Sequence, residues 1–146
     1  MSFKYIRKIP SPEEIINEIP FSNELALIKQ KRDEQIKAVI EKKSDQFLLI
    51  IGPCSAHDEE AVCDYINRLA KVQEKVKEKI IIIPRIYTNK PRTTGEGYKG
   101  MLHQPDPTEK PNILEGLKAI RKMHIRAISE SHLTPADEML YPENYT

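Results

Sequence analysis

Lys90, Arg92, Thr93 and Thr94 fall within five positions of one another, and Arg85 stands five residues upstream. Three fixed cations and two hydroxyls in so short a stretch suit one task above others, the holding of phosphate. An arginine fork matches phosphate oxygens in plane, and a lysine adds a compact point charge. In a desolvated site each charge-assisted hydrogen bond contributes roughly 1.5–3 kcal/mol. The plainer alternative is a solvated basic loop. A second stretch, Gly52-Pro53-Cys54-Ser55, has a different chemistry. Gly and Pro force a sharp turn there, and a thiolate at Cys54 can ligate a metal. The competing reading is a buried structural cysteine.

Other candidates carry less. Cys63 reads as packing within a helix. His57 is either a ligand contact or part of the turn before a helix that Asp58 caps. His103, His124 and His132 form no HxxxH or HExxH pair, so the sequence holds no self-contained zinc site. Gly95-Glu96-Gly97 does not open a helix and is a weak phosphate signal, and Lys99 reads as solvated. Asp137-Glu138 either places a carboxylate in a site or is an exposed pair at a strand start.

The elements that position these residues are legible from periodicity. Ser11-Pro12-Glu13-Glu14 predicts a capped helix start with a capping box, and Pro20 ends that helix. Ser22 opens a longer helix to about Lys43, with Leu25, Ile28, Ile36, Val39 and Ile40 on its apolar stripe. Phe47 to Ile51 is apolar without alternation, which predicts a strand covered on both faces in a parallel sheet. Asp58 caps a helix running to about Glu78, with Val62, Tyr65, Ile66, Leu69, Val72 and Val76 inward. Ile80 to Ile83 repeats the buried-strand signature and delivers Arg85 at its C-terminal end. Strand, helix and strand in some forty residues form a βαβ unit. Pro84 cannot donate to a ladder, so it marks an end or bulge of pairing. A long loop over 88–111, a helix from about Asn112 and a third strand over 134–140 complete the expectation. In open α/β sheets and α/β barrels alike, strand C-terminal ends carry the site.

Composition narrows the classes. A formal net charge of +1 argues against a general nucleic-acid binder. No apolar run approaches the ~20 residues of a membrane span, and Met1 to Pro10 has no secretory apolar core. Two cysteines nine positions apart make a disulfide framework improbable, so a reducing cytoplasm is the expected location.

Taken in order, Leu49-Ile50-Ile51-Gly52-Pro53-Cys54-Ser55-Ala56-His57-Asp58, Arg85-Ile86-Tyr87 and Lys90-Pro91-Arg92-Thr93-Thr94 resemble the type I 3-deoxy-D-arabino-heptulosonate 7-phosphate (DAHP) synthases. Tyr98-Lys99-Gly100 and Ala136-Asp137-Glu138-Met139-Leu140 continue the match, which covers roughly residues 46–146. The resemblance implies an α/β protein of the parallel (β/α)8 TIM-barrel family. Only its first strand–helix units would be present, over 46–146, after an N-terminal helical extension over 1–45. It implies condensation of phosphoenolpyruvate with erythrose 4-phosphate, on the route to the aromatic amino acids, with a divalent metal ion (Mn, Fe, Co or Zn). By the same resemblance Cys54 is a metal ligand, Arg85 and Lys90 contact phosphoenolpyruvate, and Lys90 is also catalytic. Lys90, Arg92, Thr93 and Thr94 form the erythrose-phosphate loop, and Glu138 is an acidic residue near the site. Neither nucleic acid nor membrane is an implied partner, and the full-length enzyme is expected to be a homo-oligomer.

The related 3-deoxy-manno-octulosonate 8-phosphate synthases share the barrel, but carry a Lys-Ala-Asn-Arg type loop where this chain has Lys90-Pro91-Arg92-Thr93-Thr94. A non-catalytic phosphate-binding module is the rival from another class. Metal ligands and phosphate-binding residues that the family draws from later strands are not in this sequence. The expectation is an N-terminal portion of the enzyme, without synthase activity of its own.

Overall fold

The computed structural model of the protein describes residues 8–89 and 97–138. Its elements are α1 (Pro12–Glu18), α2 (Asn23–Ile40), β1 (Phe47–Ile51), α3 (Glu59–Val76), β2 (Ile80–Pro84) and α4 (Ile113–Ser131). Strands β1 and β2 pair in parallel with Phe47 opposite Ile80 and Ile51 opposite Pro84. Helix α3 crosses between them, so the expected βαβ unit is present.

Local chemistry explains the helix ends. Ser11 accepts from the Glu14 amide while the Glu14 carboxylate accepts from the Ser11 amide, a complete capping box. Ser22, Asp58 and Asn112 cap α2, α3 and α4 through their side chains. Helix α2 stops at Ile40, short of Lys43. Lys42 adopts a left-handed φ of 58°, its amide donates to Val39, and the Lys43 amide donates to Ala38. Those two bonds form a Schellman ending, here without glycine.

Ala56, Val62, Ile66, Ile86 and Met123 form the main core between α3, α4 and the strand ends. Each buried isoleucine contributes roughly 1.5–3 kcal/mol. A second cluster, Ile15, Leu102 and Leu117, docks α1 onto α4. Lys118 to Glu18, and the Arg121 side chain to the Ile19 carbonyl, add polar ties there.

Three expectations change. Strand β2 is buried, but β1 is not covered on both faces: Phe47 is 67% and Ile50 60% exposed among the described residues. The third strand is reduced, over the described residues, to a single parallel bridge between Arg85 and Ala136. The Ala136 amide donates to the Pro84 carbonyl and the Ile86 amide to the Ala136 carbonyl. Pro84 thus closes β2, and pairing on that side starts with its carbonyl because it has no N–H to give.

The third change is at α3. Val72 faces out, 45% exposed, and Gln73 is buried in its stead. The edge of β2 away from β1 has backbone groups that must be satisfied below the Ala136 bridge. Gln73 supplies both halves: its amide nitrogen donates to the Ile80 carbonyl at 2.8 Å, and its carbonyl accepts from the Ile82 amide at 2.7 Å. Arg32 of α2 donates to the Ile82 carbonyl at 2.6 Å. Two side chains from two helices therefore take the place of a neighbouring strand, and Arg32 ties α2 to the sheet.

Candidate active site

The site is built where β1 and β2 end. Gly52 follows β1 and lies against the backbone of Arg85. The chain then turns through Pro53 to Cys54 and is fixed again at Ala56, whose amide donates to the Tyr87 carbonyl at 2.8 Å. That bond sets the Cys54-Ser55 turn beside the extension of β2. Cys54 is exposed, while Cys63 is buried within α3 and its thiol is pushed up to about 11, chiefly by burial. Packing is the role of Cys63, as its place within a helix implied.

Arg85 sits at the tip of β2, with its guanidinium held on three sides. One Nη donates to the Pro53 carbonyl at 3.3 Å, and the other lies 3.5 Å from a Glu138 carboxylate oxygen. The Tyr87 ring lies under the guanidinium at 4.7 Å. Residues 85 and 87 share one side of an extended chain, which is why the ring meets the cation. The Nε of Arg85 is buried and has no hydrogen-bond partner among the described residues.

The two residues after Tyr87 are fully buried. Thr88 is 0% and Asn89 1% exposed. The Thr88 hydroxyl donates to one Asp137 oxygen and its amide to the other, and the Glu138 amide joins the latter at 2.7 Å. The Asn89 side chain has neither amide atom hydrogen-bonded among the described residues. His57 packs edge-on against the Tyr98 ring at 6.1 Å, and Asp58 caps α3 as the sequence implied. Lys99 is exposed, as expected.

Of the residues singled out in the sequence, the described region brings Arg85, Glu138 and the Pro53-Cys54 turn together. Lys90, Arg92, Thr93 and Thr94 lie outside the described residues, as do Gly95 and Glu96. Thr88 and Asn89 were missed, whereas the sequence offers Asp137, beside Glu138, as a carboxylate that could enter the site. Tyr87 was legible from its spacing to Arg85. A buried Thr-Asn pair at the end of an apolar strand was the signal available for the other two. Among the described residues no three His, Cys, Asp or Glu side chains converge on a point that could hold a metal ion. The exposed Cys54 is one donor, and one donor does not make a site. No described helix is long and apolar enough to cross a membrane.

Comparison with known proteins gives a consistent result. A family model described as the DAHP synthetase I family matches residues 22–140. A phenylalanine-inhibited phospho-2-dehydro-3-deoxyheptonate aldolase of Saccharomyces cerevisiae is 38% identical over 131 residues, covering 88% of this chain and 34% of that protein. A phospho-2-dehydro-3-deoxyheptonate aldolase of Haemophilus influenzae is 35% identical over 136 residues, 92% of this chain and 37% of that protein. The solved structure of the phospho-2-dehydro-3-deoxyheptonate aldolase of Francisella tularensis aligns with a TM-score of 0.88 at 29% identity, over 99% of this chain and 42% of that one. The chain spans a little over a third of the length of the curated relatives it matches.

Proposed function

The chain belongs to the DAHP synthetase I family, and from that premise we propose that it supplies the first part of the substrate site of a 3-deoxy-7-phosphoheptulonate synthase. The observation that supports this reading is the Arg85 guanidinium, held against the Pro53 carbonyl beside Cys54 and facing Glu138. In this reading Arg85 and Lys90 hold phosphoenolpyruvate, and Lys90, Arg92, Thr93 and Thr94 receive the phosphate of erythrose 4-phosphate. Two anionic substrates must approach closely, and several fixed cations offset their repulsion. Lys90, shared between the two, is the catalytic residue. Carbon 3 of phosphoenolpyruvate bonds to the aldehyde carbon of erythrose 4-phosphate, water adds at carbon 2, and the hemiketal phosphate collapses with loss of inorganic phosphate.

Cys54 contributes one thiolate to a divalent metal ion (Mn, Fe, Co or Zn) in this reading. The described residues do not complete a coordination shell, so no step is assigned to the metal. The strand–helix units over 46–146 are the opening units of a (β/α)8 barrel, and residues 1–45 are an N-terminal helical extension. The full-length enzyme is read as a cytoplasmic homo-oligomer.

Calorimetry with phosphoenolpyruvate tests the core of the proposal. The 146-residue chain should bind it, and Arg85→Ala should weaken binding by roughly 10- to 150-fold, the equivalent of one charge-assisted contact. A phosphate-release assay with erythrose 4-phosphate and added manganese should show no turnover by this chain alone. Equal affinity in the parent and Arg85→Ala would remove the reading.

A further inference from the structure

Asp137 holds more of the site than its place beside Glu138 accounts for. After the Ala136 bridge, a parallel ladder would continue with the Thr88 amide donating to a backbone carbonyl near residue 138. That backbone bond is replaced. The Asp137 carboxylate takes the Thr88 amide at 3.2 Å, takes the Thr88 hydroxyl on its other oxygen, and takes the Glu138 amide at 2.7 Å. One carboxylate thus joins two strand ends that share only a single bridge. The consequences reach two places. Thr88, fully buried, lies two residues before Lys90 in the sequence and three after Arg85. Glu138, fixed by its amide, stands 3.5 Å from Arg85.

We propose that Asp137 is a positioning residue for the phosphoenolpyruvate site: it substitutes for a strand carbonyl, locks the extension of β2 at Thr88, and sets Glu138 against Arg85. The proposal rests on the function proposed above. Asp137 acts through Thr88 and Glu138. His124 of α4 approaches it from behind, with Nε2 3.7 Å from the same oxygen that takes the Thr88 hydroxyl. Three donors, two from Thr88 and one the Glu138 amide, hold the carboxylate.

Nuclear magnetic resonance of the 146-residue chain, with phosphoenolpyruvate as the probe, tests it on the parent, Asp137→Ala, Thr88→Val, Thr88→Ser and the Asp137→Ala/Thr88→Val double variant. Asp137→Ala should speed exchange of the Thr88 amide and weaken phosphoenolpyruvate roughly tenfold, through lost pre-organisation. Thr88→Val should weaken it several-fold, and Thr88→Ser should restore parental affinity. The double variant should bind no worse than Asp137→Ala, because both changes remove the same contact. If Asp137→Ala does not fold, the Val and Ser pair at Thr88 decides alone. A lowered melting temperature with parental affinity in the variants overturns the positioning role and leaves the functional reading intact. A parent chain that does not bind phosphoenolpyruvate overturns the functional reading, and this proposal falls with it.

Discussion

Gly52 lies so close to Arg85 that a Cβ at position 52 would stand 2.7 Å from the Arg85 carbonyl carbon and 2.9 Å from its Cβ, and nearer still to its carbonyl oxygen. The two strand tips touch through backbone, with no room for a side chain between them. That contact brings the Cys54 turn and the Arg85 guanidinium to one place, and it depends on the absence of a methyl group.

Gly52→Ala should therefore separate the tips. The neighbouring atoms are backbone and cannot swing aside, so the expected cost is about 1–3 kcal/mol, the range for overpacking a tight contact. A urea unfolding curve measures it. The same variant should move the Arg85 and Tyr87 resonances. An unchanged midpoint with unchanged resonances would show that the tips are not in contact.

Gln73→Leu should be among the most costly single changes in α3. It keeps the size of the side chain but leaves the Ile82 amide and the Ile80 carbonyl without partners at the β2 edge. Each unsatisfied buried group costs roughly 1–3 kcal/mol. The Ile82 amide should lose its protection from hydrogen exchange. Val72→Gln, one position along and solvent-facing, should change stability by less than about 0.5 kcal/mol.

Arg32→Met should loosen α2 from the sheet, because it removes the donor to the Ile82 carbonyl while keeping much of the apolar stem. Amide exchange along α2 should rise while that of α3 stays near the parental rate. Uniform loosening of both helices would mean that α2 is held by something other than this bond.

The two cysteines should separate cleanly by reactivity. Iodoacetamide should modify exposed Cys54 in the folded chain and leave Cys63 untouched until the protein unfolds, as peptide mass spectrometry would record. Equal labelling of both would contradict the burial of Cys63.

Cys63 also gives stability a dependence on alkaline pH. Its thiol ionises near 9 when unfolded and is pushed up to about 11 in the fold, chiefly by burial. The folded state keeps the proton longer, so its advantage is full below pH 9 and declines as the pH rises from 9 to 11. Cys63→Ala should remove that part of the decline. Parallel curves for parent and variant across this window would refute the assignment.

The parts of this protein that depend on near neighbours were legible in its residues. The Ser11–Glu14 capping box, the Asp58 and Asn112 caps and the βαβ order each follow from residues a few positions apart or from apolar periodicity. The tip position of Arg85 follows in the same way, since an apolar run must end where its charges begin. Tertiary structure alone decided which backbone groups would be left over at a sheet edge and which side chains would answer them. Gln73 was hidden inside a stripe that pointed to Val72, Arg32 reaches Ile82 across 50 positions, and Asp137 reaches Thr88 across 49. A hydrogen bond is local in space and has no period along the chain. The need for a partner can therefore be inferred from one residue, while the partner's identity waits on the fold that brings the two together.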